Sequence, residues 1–517
     1  MIFILYIITF CLCFAAVAKH DIHMFQHNSY RIERYHRWWI RGNIISYRRW
    51  WFILVLLFSF SVWTQPIAIV VMAFYIYRRF QIKHKIPLVV TSRVKRLFAT
   101  TMLLTMGVVA VEYLKLDHKL LPPILSVILF LSNGFMLLAD IINTPVEMII
   151  KRWYYNDAKK ILKSHNRLII IGVTGSYGKT SVKNYLYRML SERYNVLVTP
   201  GNYNTTMGVV RSVREHLRPQ HQIFIVEMGA KQRGDIREIC NLVNPTIGIV
   251  SSVGEAHLET FKSVENIQKT KFELIEALPE NGVGVVNFDS KSIRNYKDFN
   301  AKCKVLSYSV EDSSADFQAK SVRYSASGLS FDLAVGGELC SFNSHLLGEG
   351  NVLNLVAGVV VANHLKVPTK GIKIAISQLK PVEHRLSMKR TGGLTILDDA
   401  YNSNPDGARM ALNVLRDFER GAESRRIVVT PGFVEMGASQ YDANYNLGRA
   451  MADSCDYAIV VNKLNREAIC KGLKDAGFSD DKLFVANSLN MARRHLSGVL
   501  KVGDVVLYEN DLPDSFK

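Results

Sequence analysis

The sequence has 517 residues and a formal net charge of +19. That length allows two or three domains of about 100 to 200 residues each and excludes a single small binding module. Because no recognised nucleic-acid motif accompanies the basic residues, we interpret the charge as membrane topology and expect no nucleic-acid partner. The seven cysteines form no CxxC pair, which argues against a disulfide framework or a cysteine metal site.

Four apolar runs within residues 1–144 predict a helical transmembrane region, since a spanning helix needs about 20 apolar residues. The runs cover 1–18, 52–77, 97–114 and 120–139. The first run ends in the sequence AVA at 16–18, which resembles a signal-peptide cleavage site. No Lys or Arg precedes it, so we favour a retained anchor over a cleaved peptide. The last two runs predict a helical hairpin.

Both long loops of this region are basic, because segments 19–49 and 78–96 each carry seven Lys or Arg. If every run crossed once, these loops would lie on opposite sides, against the positive-inside bias. A re-entrant hairpin bent at Pro66 would place both loops, and everything after Ala139, in the cytoplasm. We therefore predict a multi-pass protein of the cell (inner) membrane with cytoplasmic catalytic domains.

After a basic linker at 145–166, short β-branched runs alternate with helical stretches, as in parallel α/β proteins. The first run, 168–173, leads into the sequence TGSYGKT at 174–180, and a helix is predicted at 181–190. In this context backbone N–H groups surround phosphate, Lys179 supplies a charge and Thr180 can hold Mg²⁺. Val173 stands where the strict phosphate-loop spacing has glycine, so the motif is less specific by itself.

Polar residues follow two further predicted strands: Glu227 comes after 223–226, and His257 after 247–250. The carboxyl ends of parallel strands line the ligand crevice, so both residues could share a site with the phosphate loop. Carboxylate, hydroxyl and, less often, imidazole groups bind Mg²⁺. Taken singly, Glu227 is more often a solvated or helix-capping carboxylate, and His257 a loop histidine.

Seven motifs in order resemble those of the Mur ligases, over about residues 168–510. They are Thr174-Gly175-x-x-Gly178-Lys179-Thr180, Gly201-Asn202-x-Asn204, Val226-Glu227-Met228-Gly229-Ala230, Gly254-x-x-His257-Leu258-Glu259, Lys271-x-Glu273, Asn287-x-Asp289 and Asp398-Asp399-x-Tyr401-Asn402-x-Asn404-Pro405. Within this family the motif residues are most similar to those of the MurF branch, which joins D-alanyl-D-alanine to a UDP-linked muramoyl tripeptide. The resemblance implies an α/β fold, with a central P-loop ATPase domain at 167–380 and a Rossmann-like C-terminal domain at 381–517.

The resemblance also implies an ATP-dependent ligase that activates a carboxylate as an acyl phosphate for attack by an amine. The implied ATP-binding residues are Gly175, Ser176, Tyr177, Gly178, Lys179, Thr180, Ser181, Asn287, Asp289, Arg385 and Asp399. The implied Mg²⁺ ligands are Thr180, Glu227, His257 and a carbamylated Lys271, and the catalytic set is Lys179, Lys271, His257 and Glu227. The implied substrate contacts are Asn202, Asn204, Asn402, Asn404 and Pro405. Without the resemblance, Lys271 would be interpreted as an exposed helix lysine.

Three departures from the family pattern concern the substrate. Transmembrane segments replace the usual N-terminal domain that grips the UDP-linked peptide. The loop after Asn204 has Thr205 and Val210 where the family more often has asparagine and proline, and the segment 505–514 carries acidic residues where the family ending has Lys-Gly-Ser. Separately, Asn444 occupies the place of a usual downstream histidine. The expected partners are a peptide or muramoyl-peptide carboxylate, which a membrane anchor could accept in lipid-linked form, and an amine such as a D-alanyl dipeptide.

Two other functions remain open from the sequence. One is a Mur-like ligase for another envelope polymer, such as poly-γ-glutamate. The other is a catalytically silent membrane scaffold that senses nucleotide, although the intact residues of the catalytic set argue against it. A transporter is disfavoured, because the membrane region offers only Glu112 and Asp140 as buried acidic candidates.

Overall fold

The computed structural model describes residues 2–43, 50–82, 87–115, 120–254, 258–325, 327–401, 404–418, 421 and 423–512. The chain divides into two compact units, which meet in sequence between Trp153 and Tyr154.

The first unit is helical. Its helices are α1 (Ile2–His27), α2 (Ile32–Asn43), α3 (Trp50–Leu57), α4 (Gln65–Gln81), α5 (Ser92–Lys115), α6 (Leu121–Phe130) and α7 (Ser132–Ser164), the last of which continues into the second unit. Within the described residues, α1 and the part of α5 up to Leu114 are long and apolar enough to cross a membrane. The pair α6 and α7, bent by 68°, is a third candidate if it counts as one span.

The apolar run at 52–77 is not one continuous helix, because α3 ends at Leu57 and α4 begins at Gln65. Phe52 packs on Tyr75 with ring centroids 5.0 Å apart, so the start of α3 lies beside the end of α4. The two helices therefore form a hairpin, as predicted. The prediction that it bends at Pro66 is wrong: the connection is 58–64, and Pro66 lies in the first turn of α4, where its missing N–H is tolerated.

The run at 120–139 is also divided, since α6 ends at Phe130 and α7 starts at Ser132 with a bend of 68°. Pro122 and Pro123 lie in the first turn of α6. The linker predicted at 145–166 is helical as far as Ser164, because α7 continues through it.

The two basic segments meet at one end of the first unit. The Gln26 amide donates to the Val89 carbonyl (2.9 Å) and accepts from the Val89 N–H (3.0 Å). The Arg93 guanidinium lies 4.0 Å from the centre of the Tyr30 ring. The Tyr6 hydroxyl, near the start of α1, donates to the carbonyl of Pro122 at the start of α6 (3.1 Å). The described parts of 19–49 and 78–96 therefore share one end, and the starts of α1 and α6 share the other.

The second unit alternates strands and helices. Its elements are β1 (Ile169–Thr174), α8 (Lys179–Leu190), β2 (Val196–Val198), α9 (Thr206–His216), β3 (Ile223–Glu227), α10 (Asp235–Val243), β4 (Ile247–Val250), α11 (Leu258–Phe261), α12 (Val264–Glu276), β5 (Val283–Asn287), α13 (Lys291–Arg294), β6 (Lys304–Ser309), β7 (Phe317–Gln318), β8 (Lys320–Ser325), β9 (Gly328–Val335), β10 (Glu338–Ser344), α14 (Gly350–His364), α15 (Thr369–Ser377), β11 (Ser387–Thr391), β12 (Leu394–Asp399), α16 (Pro405–Arg416), β13 (Arg426–Thr430), α17 (Gln440–Ser454), β14 (Tyr457–Val461), α18 (Arg466–Asp475), β15 (Leu483–Ala486), α19 (Leu489–Val499) and β16 (Val505–Glu509).

These strands form three sheets. The first has the order β2-β3-β1-β4-β5-β6-β7 and is parallel throughout. Apolar side chains of α8 and α14 cover one of its faces, and those of α9, α10 and α12 cover the other. The strands β10-β9-β8 form a small antiparallel sheet. The third sheet, β11-β12-β16-β13-β14-β15, is parallel except for β11.

The predicted α/β fold class is confirmed, including the first strand and the helix that follows the glycine-rich turn. The predicted domain boundary at 380 falls between α15 and β11, where the third sheet begins. The exact domain limits stay a prediction. In parallel sheets of this kind, ligands bind at the carboxyl edge of the strands. Glu227 and Asn287 end strands at this edge, and the phosphate loop follows β1 there.

Candidate active site

The phosphate loop connects β1 to α8 and depends on its glycines. Gly178 has φ +80°, and a Cβ there would approach Asn354 Oδ1 to 2.5 Å. At Gly175 a Cβ would approach Ser251 Oγ to 2.2 Å. Both positions therefore require glycine for close packing, and Gly178 for its left-handed backbone as well.

The amides of the loop divide into two groups. The Ser176 N–H donates to the Ser252 carbonyl (2.9 Å), and the Tyr177 N–H donates to Ser252 Oγ (2.7 Å). These two amides hold the loop against the segment after β4. The N–H groups of the first turn of α8 lack intrahelical acceptors, as at every helix start, so they are the ones free to meet an anion.

Lys179 begins α8 and curls back over the loop. Its ammonium donates to the carbonyls of Gly175 (2.7 Å) and Ser176 (3.1 Å). Burial lowers the pKa of Lys179 to about 8; the Glu227 carboxylate opposes this shift, and the Arg385 guanidinium adds to it. A predicted phosphate ligand from each half of the second unit, Lys179 and Arg385, therefore lies within electrostatic reach of the other.

Glu227 ends β3, and its side chain is 2% exposed, so its interpretation as a solvated carboxylate is wrong. Asn204 Nδ2 donates to its Oε1 (3.0 Å), and the Lys183 ammonium lies 3.0 Å from its Oε2. Burial acts to raise the pKa of Glu227, but the charges of Lys183 and Lys179 and the Asn204 hydrogen bond outweigh it, so the pKa is lowered. The carboxylate is therefore charged at neutral pH.

Lys183 is a site residue that the sequence motifs did not reveal. Its side chain is 2% exposed, and its ammonium also donates to the carbonyls of Thr199 (3.0 Å) and Gly201 (2.8 Å). Lys183 lies four residues after Lys179 on α8, and this spacing places both lysines on the same face. The helix predicted at 181–190 did not include Lys179, so the sequence did not reveal this relation.

A divalent cation fits this carboxylate. Glu227 Oε2 is buried and accepts no well-oriented hydrogen bond within the described chain, although the ammonium of Lys183 is close. Thr180 offers a hydroxyl in the first turn of α8. A nucleotide-bound Mg²⁺ needs few protein ligands, because phosphates and water complete its shell. The described residues hold no cluster of three His, Cys, Asp or Glu, and His257 lies outside them.

Lys271 lies on α12 and is 4% exposed, so the exposed-lysine interpretation is wrong. Burial and, secondarily, the charge of Lys179 lower its pKa to about 7, against the opposing effect of Asp235 and Glu273. A lysine of this kind is partly neutral at physiological pH, and a neutral amine is nucleophilic. Glu273 has a structural role, since it accepts from the N–H groups of Gly234 (2.8 Å) and Arg237 and so caps the start of α10.

Asn287 and Asp289 tie strand ends together at the same edge. Asn287 Nδ2 donates to the Ser251 carbonyl (2.9 Å), and its Oδ1 accepts from the Asp289 N–H (3.0 Å). Asp289 also accepts from Ser309 Oγ and from the Val310 N–H (2.9 Å). Their described contacts are therefore with neighbouring strand ends, and contact with a nucleotide base stays a prediction.

The segments before β11 and after β12 bring Arg385 and Tyr401 to the central sheet. Arg385 lies over the Tyr401 ring, 4.8 Å from its centre, and the Tyr401 hydroxyl accepts from Asn202 Nδ2 (3.2 Å). His384 and Leu386, on either side of Arg385, have φ values of +59° and +48°, which are strained for residues with side chains. The residues on either side of Arg385 are therefore held in the left-handed backbone conformation at the edge of the site.

Asn404 and Pro405, which the resemblance implies as substrate contacts, lie at the start of α16. Asn404 caps α16 by accepting from the Gly407 N–H (2.9 Å), and Pro405 is the first residue of that helix. Asn402 lies outside the described residues. Asn444 is fully buried; it accepts from the Phe433 N–H (2.8 Å) and donates to the Phe433 carbonyl, so it holds the loop after β13.

The raised pKa of Asp399 predicts how the stability of the folded chain depends on pH. Burial raises its pKa to about 6, although it accepts a hydrogen bond from the Leu386 N–H (2.9 Å). Because this folded-state value lies above that of an unfolded aspartate, stability is lost as the pH rises through 6. Asp399→Asn should therefore raise the free energy of unfolding at pH 8 by about 1–3 kcal/mol, from about 1.4 kcal/mol per pKa unit.

Urea unfolding of the full chain at pH 8, 6 and 4.5 provides the measurement, and the advantage of Asp399→Asn should shrink towards pH 4.5. Asp417→Asn, at a surface aspartate, should change the free energy by less than about 0.5 kcal/mol at each pH. An Asp399→Asn effect that is equal at all three pH values would contradict the prediction.

Two protein-family models match the second unit. The Mur ligase middle domain matches residues 173–362, and the Mur ligase, glutamate ligase domain matches residues 384–508. Together these ranges cover more than half of the chain.

Curated relatives carry the name UDP-N-acetylmuramoyl-tripeptide--D-alanyl-D-alanine ligase. The chain is 29% identical to the Escherichia coli protein over 57% of its own length and 64% of the relative. It is 31% identical to the Mycobacterium bovis protein over 54% of its own length and 56% of the relative. The chain thus spans less than two thirds of the length of these relatives.

Solved structures agree with these matches. MurF ligase from Thermotoga maritima, in complex with ADP, superposes with a TM-score of 0.60 at 26% identity, covering 70% of this chain and 80% of that one. A MurF structure from Acinetobacter baumannii gives a TM-score of 0.61 at 24% identity, covering 71% and 78%, and shows the shared fold. With both domains matched in order, the chain belongs to the Mur ligase family.

Proposed function

We propose that this chain is a membrane-attached, MurF-like ligase that uses ATP to join a carboxylate to an amine in peptidoglycan precursor synthesis. The observation that carries the proposal is the meeting of buried charges at one sheet edge: Lys179, Glu227 and Lys271, with Arg385 near Lys179. Such charges are rarely buried without function. The names of the curated relatives and the ADP-bound relative support the same chemistry.

The proposed reaction has two steps. A carboxylate oxygen of the acceptor attacks the γ-phosphorus of ATP, the bond to the β-phosphate oxygen breaks, and ADP leaves. The amine then attacks the acyl carbon, phosphate leaves with the electrons of the C–O bond, and the nitrogen loses its proton. Both steps bring anions together, so preplaced cations and amides reduce the barrier.

Each residue has a part in this scheme. Lys179, the first-turn amides of α8 and Arg385 bind and orient the phosphates. One Mg²⁺ would be held by Thr180 and Glu227 and a second by Lys271 as its carbamate, and both would supply positive charge to the triphosphate and the acceptor carboxylate. His257 is a further proposed ligand, and Asn202 and Asn204 lie on the loop proposed to meet the acceptor.

Phosphate release by the purified full chain in detergent tests the ligase proposal. With ATP, Mg²⁺, a muramoyl peptide that is nucleotide- or lipid-linked, and D-alanyl-D-alanine, we expect phosphate and a product of the mass of the joined peptide. Lys179→Met should lower the rate at least about 100-fold, the effect of removing one transition-state charge contact. Lys291→Met, at an exposed lysine, is the matched control. No phosphate release with any muramoyl peptide would contradict a MurF-like activity.

The Lys271 carbamate has a separate test. Because burial lowers the pKa of Lys271 to about 7, its neutral amine should react with CO₂ increasingly as the pH rises from 6 to 8. Carbon-13 NMR with labelled bicarbonate should show one carbamate signal, which Lys271→Ala abolishes and Lys269→Ala retains. A spectrum of the wild type without that signal at pH 8 would contradict the assignment.

The acceptor is proposed to be lipid-linked. A membrane unit precedes the matched domains, and the helices α1 and α5 are apolar enough to span a bilayer. The shared basic end of this unit favours its placement in the cytoplasm. A peptide carried on a lipid would then be confined to the same membrane as the ligase.

Cysteine labelling tests this topology. Val90→Cys, in the basic segment before α5, and Leu114→Cys, near the end of α5, are both exposed positions. In a background without Cys11 and Cys470, a membrane-impermeant maleimide should label Val90→Cys only in inside-out vesicles and Leu114→Cys only in right-side-out vesicles. Labelling of both from the same side would contradict the proposed crossing of α5.

A further inference from the structure

Lys183 is a buried cation that the proposed chemistry does not use. Its ammonium has three partners. The carbonyls of Thr199 and Gly201 accept hydrogen bonds from it, and the carboxylate of Glu227, which carries the opposite charge, forms an ion pair with it through Oε2 at 3.0 Å. A buried ion pair alone is weak grounds for a stability role, since apolar replacements are often as stable.

The partners of Lys183 belong to different parts of the site. Lys183 lies one helical turn after Lys179, the phosphate-binding lysine, on the same helix α8. Its two carbonyl partners flank Pro200 in the segment that leads to Asn202. The Thr199 hydroxyl also accepts from the Glu227 N–H (3.1 Å). One ammonium thus joins the nucleotide helix, the carboxylate and the start of the loop 199–204.

The other end of the loop is fixed as well. Asn204 donates to Glu227 Oε1, and its carbonyl accepts from the Gly229 N–H (2.7 Å). Between these anchors, Asn202 reaches out to the Tyr401 hydroxyl (3.2 Å). A shift of α8 when phosphate binds would therefore move the anchor nearest Asn202, because the ammonium holds helix and loop at hydrogen-bond distance.

We propose that Lys183 is a positioning residue that couples nucleotide binding on α8 to the placement of the loop 199–204, and through Asn202 to the acceptor. The inference rests on the proposed function, because it takes α8 as the nucleotide helix and the loop as an acceptor contact. Coupling of this kind needs a direct test, since a chain of contacts alone does not establish it.

The test measures hydrogen–deuterium exchange of the peptide that covers 199–204, in the full chain in detergent, with and without ADP. Calorimetry gives the ADP affinity of the same samples. The variants are Lys183→Met, which removes the charge, and Lys183→Arg, which keeps it. The control is Arg188→Met on the same helix, whose guanidinium binds Glu192 and Gln378 at the exposed end of α8.

We expect ADP to slow exchange of the loop by about tenfold in the wild type and in Arg188→Met, the scale of one stabilising network of hydrogen bonds. In Lys183→Met the slowing should fall below about twofold, while the ADP affinity changes by less than about threefold. Lys183→Arg should restore part of the slowing. The KM for the acceptor should rise in Lys183→Met much more than the KM for ATP.

Three results overturn the inference: ADP slows the loop equally in Lys183→Met, ADP leaves the loop of the wild type unchanged, or the ADP affinity falls in parallel with the slowing. Absence of ADP binding by the wild type would instead overturn the proposed function itself. If Lys183→Met does not fold, Lys183→Gln is measured in its place, because its amide is neutral and has two N–H groups for three acceptors. Equal slowing of the loop by ADP in Lys183→Gln and in the wild type overturns the inference.

Discussion

The buried carboxylate of Glu227 is the constraint on which the arrangement of the site depends. A charge at 2% exposure must be matched by cations and hydrogen bonds, and here Lys183, Lys179 and Asn204 supply them. These contacts with Glu227 hold three segments together at the end of β3: the first turns of α8, the loop 199–204 and the strand itself. The parallel sheet supplies the edge at which these segments converge.

The same crowding of charge explains the reactivity proposed for Lys271. Lys179 is close enough to lower the pKa of Lys271, and burial adds the larger effect. Two lysines in one buried site repel each other, so one of them is near neutrality, and the neutral one is the amine that can take up CO₂. Arg385 adds to the positive field from the other half of the second unit, which is the field that a triphosphate and a carboxylate require in order to approach each other.

Sequence patterns predicted the backbone of the site better than the contacts of its side chains. Gly175 and Gly178 are needed for the local backbone conformation and close packing of the phosphate loop. This requirement is visible in the sequence, so the loop and the helix after it could be predicted. Lys183 could not, because its role arises from Thr199 and Glu227, which are distant in sequence. The motif did not reveal that Asn404 caps α16, and its contact with a substrate stays a prediction. In the first unit, the apolar run at 52–77 predicted a hairpin but not the position of its turn, since the break at 58–64 depends on packing between α3 and α4.

The central claim is that ATP activates the acceptor carboxylate at this site, and isotope transfer measures it most directly. An acceptor peptide with oxygen-18 in both oxygens of its reacting carboxylate is incubated with the full chain, ATP, Mg²⁺ and D-alanyl-D-alanine. Mass spectrometry then gives the isotope content of the released phosphate. An acyl phosphate predicts that each phosphate formed carries one oxygen from the carboxylate. Formation of the joined peptide together with phosphate that is free of the label would contradict the account.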